Sequence, residues 1–541
     1  MVIERCLAQH ALNRLWAFAS AALLIGLCVL SGCADHTPYQ PLAMHSPGAQ
    51  ELAQTTRGAG GAWPEAQWFA SFRDRQLDAL VAEALAGNPD IQIAGARIAE
   101  AQSQLERFAS GTGLTGTATA AAYKARFPAV DGAASVNFDG TTVPIDLFSD
   151  PWVSPGSVIV GANYELDLWG KNRALTQALV SARDAARVDA QQARLTLTTS
   201  IVTLYGQLAY AYARRDLMEA RRHEAEQLDV IRRTREARGI DNTYSAQQEL
   251  IEQAALRMQL QTIDDSITQT QLQIGALTGA GPERGLSLQR PTLTDADALS
   301  VPANLPLELL GRRPDIVAAR LRVQAATAKI DATRAEFYPN INLSAGGGLS
   351  SLSLGSLFSS ASAFFAIGPA VSLPIFERGQ LRSQLHGDFA QADETIALYN
   401  KTLDRALAEV SRSFATMRNL TTLIDEQQRV VTAREQMIAV ATERQRRGLI
   451  PQADVFAQRD MKLDEQQRLL ELEAQRRDAD IALIRALGGG FDEASQTGAA
   501  AVSPAATGEP TASPAATRQP ANQDSPVSQR DNRSSNNPSS S

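Results

Sequence analysis

Few side chains in this sequence stand where they could do covalent or metal chemistry. The cysteines are Cys6, Cys28 and Cys33, and the first two fall in a segment expected to be removed; one thiol makes no intramolecular disulfide or thiolate cage. His36, His45, His223 and His386 are scattered at spacings that fit no metal box. No glycine loop has the pattern that cradles phosphate. Gly346–Gly348 lies between strand-like stretches and reads as relief of crowding in a sheet turn. The reading therefore contains no catalytic residue, no metal and no cofactor. What remains are charged groups with structural or electrostatic uses. Arg312 and Arg313 beside Pro314 and Asp315 suit carboxylate pairing and are read as fixing a helix start. Glu165 and Asp167 share one face of an alternating stretch.

Cys33 is the exception, and its chemistry is acylation. Arg5 and Arg14 precede the apolar run Trp16–Leu30, which is too short for a spanning helix of about 20 apolar residues and reads as a secretory signal. The ending Leu30-Ser31-Gly32-Cys33 resembles a bacterial lipobox, which would make Cys33 the lipidated first residue of the mature chain. Acyl burial contributes roughly 0.8 kcal/mol per methylene. Ala34, rather than Asp, follows Cys33 and favours the outer membrane by the sorting rule such lipoproteins resemble.

The elements that position these groups come in two copies. Ala86-Gly87-Asn88-Pro89-Asp90-Ile91 and Leu310-Gly311-Arg312-Arg313-Pro314-Asp315-Ile316 open helices alike: the residue before Pro is pushed extended, Pro pre-sets the first turn, and Asp meets the helix dipole. Matching segments trail each box, so the chain is an internal duplication. Tyr164–Lys171 corresponds to Val371–Arg378, Arg238-Gly239-Ile240 to Arg447-Gly448-Leu449, and Ile274–Gly279 to Ile484–Gly489.

Each copy then reads as helix, strands, long helical hairpin. Val158, Val160, Ala162, Tyr164, Leu166 and Leu168 alternate with more polar residues up to Trp169, as a barrel strand would with lipid on one side and water on the other. A half-buried strand of a soluble sheet has the same period. Phe365, Ile367, Pro369, Val371, Leu373 and Ile375 repeat the pattern. Residues 171–236 contain no Pro and only Gly206, which predicts a helix of about 100 Å. Leu195, Val202, Tyr205, Ala209 and Tyr212 mark its seam. In the second copy the seam is Ile396, Tyr399, Leu403, Leu407, Val410, Phe414 and Met417. Ordered chain should begin at Trp63, and residues 129–155 read as a long loop containing Pro144, Pro151 and Pro155. The net charge of −8 and the lack of a Lys/Arg cluster interleaved with aromatics exclude nucleic acid as a partner.

The predicted organisation is a signal peptide at 1–32 and a lipidated tether at 33–62. Repeat 1 occupies 63–280, with strands near 112–127 and 156–169 and a hairpin at 171–279. A linker at 281–300 leads to repeat 2 at 301–490, with strands near 339–350 and 363–376 and a hairpin at 379–488. The Ala-, Ser- and Pro-rich tail at 491–541 has no apolar period. Four strands cannot close a barrel, since the smallest have about eight, so membrane strands here demand an oligomer.

The box with Ala319-Arg320 after it, Phe337-Tyr338-Pro339, Leu373-Pro374-Ile375-Phe376 with Gly379, and Leu487-Gly488-Gly489 together resemble the outer-membrane factors of tripartite efflux systems, in particular their lipidated, TolC-like branch. The resemblance spans Trp63–Gly490. It implies a mixed membrane β-barrel plus long α-helical barrel: a homotrimer with a 12-stranded barrel on a 12-helix periplasmic tunnel. It further implies a passive duct, not an enzyme, that docks a periplasmic adaptor and an inner-membrane transporter of the resistance-nodulation-division type. Hairpin tips in the family close the periplasmic mouth and take the adaptor; here they hold Arg238, Gly239, Ile240, Arg447, Gly448 and Leu449. A family aspartate in the second tip's return helix, within a Leu-Asp-Ala-Gln run, is replaced by Phe456-Ala457-Gln458-Arg459, leaving Asp454 as the candidate gate carboxylate or merely a helix cap. Glu165 and Asp167 would either bias a lumen toward cations or simply solvate its wall. The alternatives are a duct for type I protein secretion and a non-channel structural lipoprotein of the periplasm.

Overall fold

The computed structural model describes residues 38–46, 61–126, 134–138, 141–145, 152–240, 243–294 and 305–494. The predicted signal peptide, Cys33 and most of the tail lie outside them.

Repeat 1 begins with α1 (Arg75–Gly87) and α2 (Pro89–Thr112). Asp74 caps α1 by accepting from the Gln76 and Leu77 amides. Asn88, extended at φ −68° and ψ 130°, caps α2 by accepting from the Asp90 amide. The chain then passes through β1 (Thr115–Ala122), the hairpin β2 (Ala134–Phe138) and β3 (Thr141–Ile145), and β4 (Gly156–Leu166). The hairpin corrects the expectation of a structureless loop at 129–155. Pro144 opposes Ser135 within it, a position tolerated because two-stranded ribbons have free edges.

The long hairpin follows as α3 (Lys171–Ala237) and α4 (Thr243–Thr278). The predicted linker is packed chain: α5 (Pro282–Leu286) precedes a segment in which Leu288 is buried and the Thr294 amide donates to the Phe72 carbonyl. Repeat 2 contains α6 (Leu305–Arg312), α7 (Pro314–Ala335), β5 (Asn340–Ser351), β6 (Ala363–Ser372), α8 (Arg378–Arg446) and α9 (Gln452–Ala486). At about 1.5 Å per residue, α3 and α8 each run about 100 Å. Of the predicted seams, Leu195, Val202, Tyr205, Ile396, Tyr399, Leu403, Val410, Phe414 and Met417 are buried, whereas Ala209, Tyr212 and Leu407 are half-buried.

Segment 38–46, read as part of a free tether, lies along α8. Tyr39 stacks on Phe389 with centroids 4.4 Å apart and donates to Asp393 at 2.8 Å. Farther along, the His45 amide donates to Asn400 at 2.8 Å, and Asn400 donates back to the Ala43 carbonyl.

The four principal strands form one open antiparallel sheet in the order β1-β4-β5-β6. Gly346–Gly348 sits inside β5, not at a turn as expected. A Cβ on Gly348 would fall 2.1 Å from the Val158 carbonyl oxygen, so glycine is what lets these strands approach.

Candidate functional site

The register of the sheet sorts most of its side chains, with Ile159 and Phe364 the large apolar exceptions on the polar face and Ser351 the polar one on the apolar face. Directly opposed residues point the same way, and Val158↔Leu349, Val160↔Gly347, Tyr164↔Leu343 and Leu166↔Ile341 align with Ala363, Phe365, Pro369 and Val371 on the far strand. This face is apolar on every strand, and it is bare: Val160 is 60%, Phe365 73% and Val371 64% exposed. The opposite face carries Thr115, Thr117 and Thr119 from β1, Asn163 and Glu165 from β4, and Asn342, Ser344 and Ser350 from β5. A soluble sheet buries its apolar face on a core; this one leaves it uncovered in the single chain. At the end of β4, the Trp169 indole donates to the Pro339 carbonyl at 2.7 Å and stacks on Tyr338 at 4.8 Å. Such an aromatic pair suits the boundary between hydrocarbon and water. Among the described residues no helix is long and apolar enough to cross a membrane.

Glu165 and Asp167 are not free charges. Glu165 pairs with Lys171 at 2.6 Å. Asp167 lies past the end of β4 and caps α3, accepting from the Asn172 and Arg173 amides at 3.1 and 3.0 Å. In the single chain both carboxylates therefore have partners. Lys171 escaped the sequence reading because its partner is six residues upstream across a non-helical link, which no period reveals.

Both boxes grip the end of their own hairpin. The Asn88 amide group donates to the Leu277 carbonyl at 2.8 Å, and Arg313 donates to the Ala486 carbonyl at 3.0 Å. Arg313 is 6% exposed and also binds Asp315 at 2.7 Å and Glu409 at 3.1 Å. Burial works against its charge, yet the two carboxylates raise its pKa above the ordinary value. Arg312 pairs with Asp492 at 3.4 Å and lies over the Trp63 ring. Gly279 (φ +74°) and Gly488 (φ +91°) press against these boxes; a Cβ would meet the Gly87 carbonyl oxygen at 2.4 Å and that of Arg312 at 1.9 Å. Pro314 and Asp315 open α7 after an extended Arg313 (φ −108°, ψ 120°), as the pre-proline rule requires.

The hairpin tips are built identically. Gly239 (φ +71°) and Gly448 (φ +72°) end α3 and α8, and the amides of Ile240 and Leu449 donate back to the Arg235 and Arg444 carbonyls, both at 2.9 Å. Ile240 and Leu449 remain exposed. Asp454 stands in the first turn of α9, exposed, beside a groove of about 570 Å³ bordered by Met437, Val440, Arg444, Ile450 and Gln458. Above the tips the two hairpins are joined by ion pairs that no spacing rule foretells. Arg221 of α3 binds Asp460 and Asp464 of α9 at 2.7 and 2.8 Å, and Arg459 reaches Glu224 at 3.3 Å. Within the first hairpin Arg232 pairs with Glu249, whose burial raises its pKa. No group of three or more His, Cys, Asp or Glu among the described residues could hold a metal ion.

A two-faced sheet of membrane-strand length on antiparallel hairpins of about 100 Å defines a class: strand-anchored conduits with long helical extensions. Residues 80–280 and 305–489 match the family described as outer membrane efflux protein. Over 477 residues the chain is 30% identical to the multidrug resistance outer membrane protein MdtP of Shigella flexneri, spanning 87% of this chain and 96% of that one. The solved structure of the outer membrane protein VceC from Vibrio cholerae is similar at 32% identity and a TM-score of 0.70, covering 80% of this chain and all, 100%, of that one. The Campylobacter jejuni CmeC outer membrane channel, at 20% identity and a TM-score of 0.72, shares the fold over 87% of this chain and 97% of its own. The chain belongs to the outer membrane efflux protein family.

Proposed function

We propose that the protein is the outer-membrane exit duct of a tripartite efflux pump, a passive conduit and not an enzyme. The observation that carries this reading is the sheet: one predominantly apolar face, one predominantly polar face, and two free edges. Among the described residues β1 pairs only with β4, and β6 only with β5. Each backbone group left open in hydrocarbon costs several kcal/mol, so the edges must be covered by further copies. Three copies give a 12-stranded barrel, and their twelve long hairpin helices give the tunnel beneath it. Lipid on Cys33 would anchor the chain to the outer membrane. The exposed tips around Arg238, Ile240, Arg447 and Leu449 would meet a periplasmic adaptor, behind which an inner-membrane resistance-nodulation-division transporter supplies the solute. The name of MdtP, a multidrug resistance protein, supports drugs as cargo. A protein-secretion duct would share the architecture, but the lipobox and the named relatives favour efflux. A periplasmic spacer has no use for a bare apolar sheet face.

The test is the mass of the purified detergent-solubilised protein together with its conductance in a planar bilayer. Trimers that insert and conduct support the duct. A monomer that neither inserts nor conducts defeats it.

A further inference from the structure

We propose that Lys171 is a specificity-determining residue of the conduit: it cancels the only charge within the four-stranded sheet, so that the junction between sheet and helices does not itself select solutes by sign. The inference rests on the duct reading above. In the four strands of the sheet Glu165 is the sole Asp, Glu, Lys or Arg, and it stands on the polar face with Asn163 and Asn342. Every other polar group on that face is a neutral hydroxyl or amide. Such a wall offers no fixed charge to select ions except at Glu165.

Lys171, in the first turn of α3, places its Nζ 2.6 Å from Glu165 Oε1, and both side chains are about a quarter exposed, at 25% and 27%. The pair is thus in contact with solvent yet held. Glu336, the residue that closes α7, borders the same place; cavities of about 310 and 590 Å³ flank the junction, and each is lined by Glu165, Lys171 and Glu336. Burial raises the Glu336 pKa while Lys171 opposes that rise, so the one ammonium serves two carboxylates. Of the other acids at the junction, Glu377 lines the smaller cavity, and Asp167 is committed to the α3 amides and to Arg173 at 3.4 Å. Removing Lys171 would strip Glu165 and Glu336 of their shared cation in each chain, and hence leave a ring of added negative charge wherever copies surround an axis.

The experiment is the reversal potential across a KCl gradient in planar bilayers for four proteins: wild type, Lys171→Gln, Glu165→Gln and the double variant. Each is first checked for the wild-type oligomeric mass. Wild type and the double variant should share one potassium-to-chloride permeability ratio. Lys171→Gln should raise the potassium-to-chloride permeability ratio several-fold, and Glu165→Gln should move it the opposite way. A common reversal potential for all four overturns the proposal, as does movement of both single variants in one direction. Absence of conductance in every form, wild type included, defeats the duct reading instead.

Discussion

At the scale of single residues, two buried polar clusters carry separable predictions. Asp74 is 4% exposed and accepts from the Gln76, Leu77 and Thr292 amides, the Thr292 hydroxyl and the Tyr205 hydroxyl. Burial pushes its carboxyl up, but these donors outweigh it and hold the pKa below the ordinary value. A depressed folded-state pKa contributes stability above the unfolded pKa of about 3.9 and loses it as pH falls through the folded value. Acid unfolding followed by circular dichroism should therefore steepen below about pH 4, and Asp74→Asn should flatten that limb while lowering stability at neutral pH. A variant with the wild-type acid limb would deny Asp74 this role. Arg313 is the stronger case. Truncation to Ala leaves Asp315 and Glu409 facing one another without their cation, a loss of ~3–5 kcal/mol for a buried pair. Arg313→Lys should recover only part of it, because an ammonium has three donors at a single point where the planar guanidinium makes five hydrogen bonds. Thermal denaturation of the two variants checks the order. Equal stability of Lys and wild type would reduce the site to a point charge.

Among elements, the contact of consequence is between hairpins rather than within one. Arg221 bridges α3 to α9, beside the Arg459–Glu224 pair, and on the duct reading it would hold the two hairpins together above the lower mouth. Arg221→Ala should raise conductance and open probability in planar bilayers, and Asp460→Asn with Asp464→Asn should do the same. Currents indistinguishable from wild type would place the latch elsewhere, with Asp454 and Arg444 the next residues to change. Elements of this kind also mark how far the sequence could be read. Helix starts, tip glycines and the sheet's alternation are local: a proline after Arg313, a Gly at 239 and 448, and a period of two after Gly156 are enough to predict them. The Arg221 bridge and the Lys171–Glu165 pair depend on how distant or non-periodic segments meet, and no spacing carries that information. The β2–β3 hairpin is not legible in the sequence because Pro144 interrupts a short, weakly alternating ribbon. The docking of Tyr39 on Phe389 was missed because a nine-residue extended segment has no period of its own.

For the whole molecule, the two faces of the sheet are the decisive property. Val160→Arg with Val371→Arg places charge on the apolar face at ~2–4 kcal/mol per residue near a bilayer midplane. Outer-membrane trimer should vanish from fractionated cells, whereas Ser344→Arg, on the polar face, should leave assembly intact. Normal trimers from the double variant would mean that this face does not meet lipid. The closure of each repeat on itself has a different consequence, in time rather than space. Asn88 waits for a carbonyl 189 positions later, and Arg313 for one 173 positions later. Neither box can be completed until its entire hairpin has emerged and turned back. Contacts so distant in sequence make for slow folding, during which apolar strands stand unprotected. The first repeat's box can nevertheless close before the second has been delivered, while its core is completed only when Ile481 and Ile484 of the second repeat join it. A chain exported from its N-terminus would thus mature in two instalments, the earlier one serving as the surface on which the later one settles.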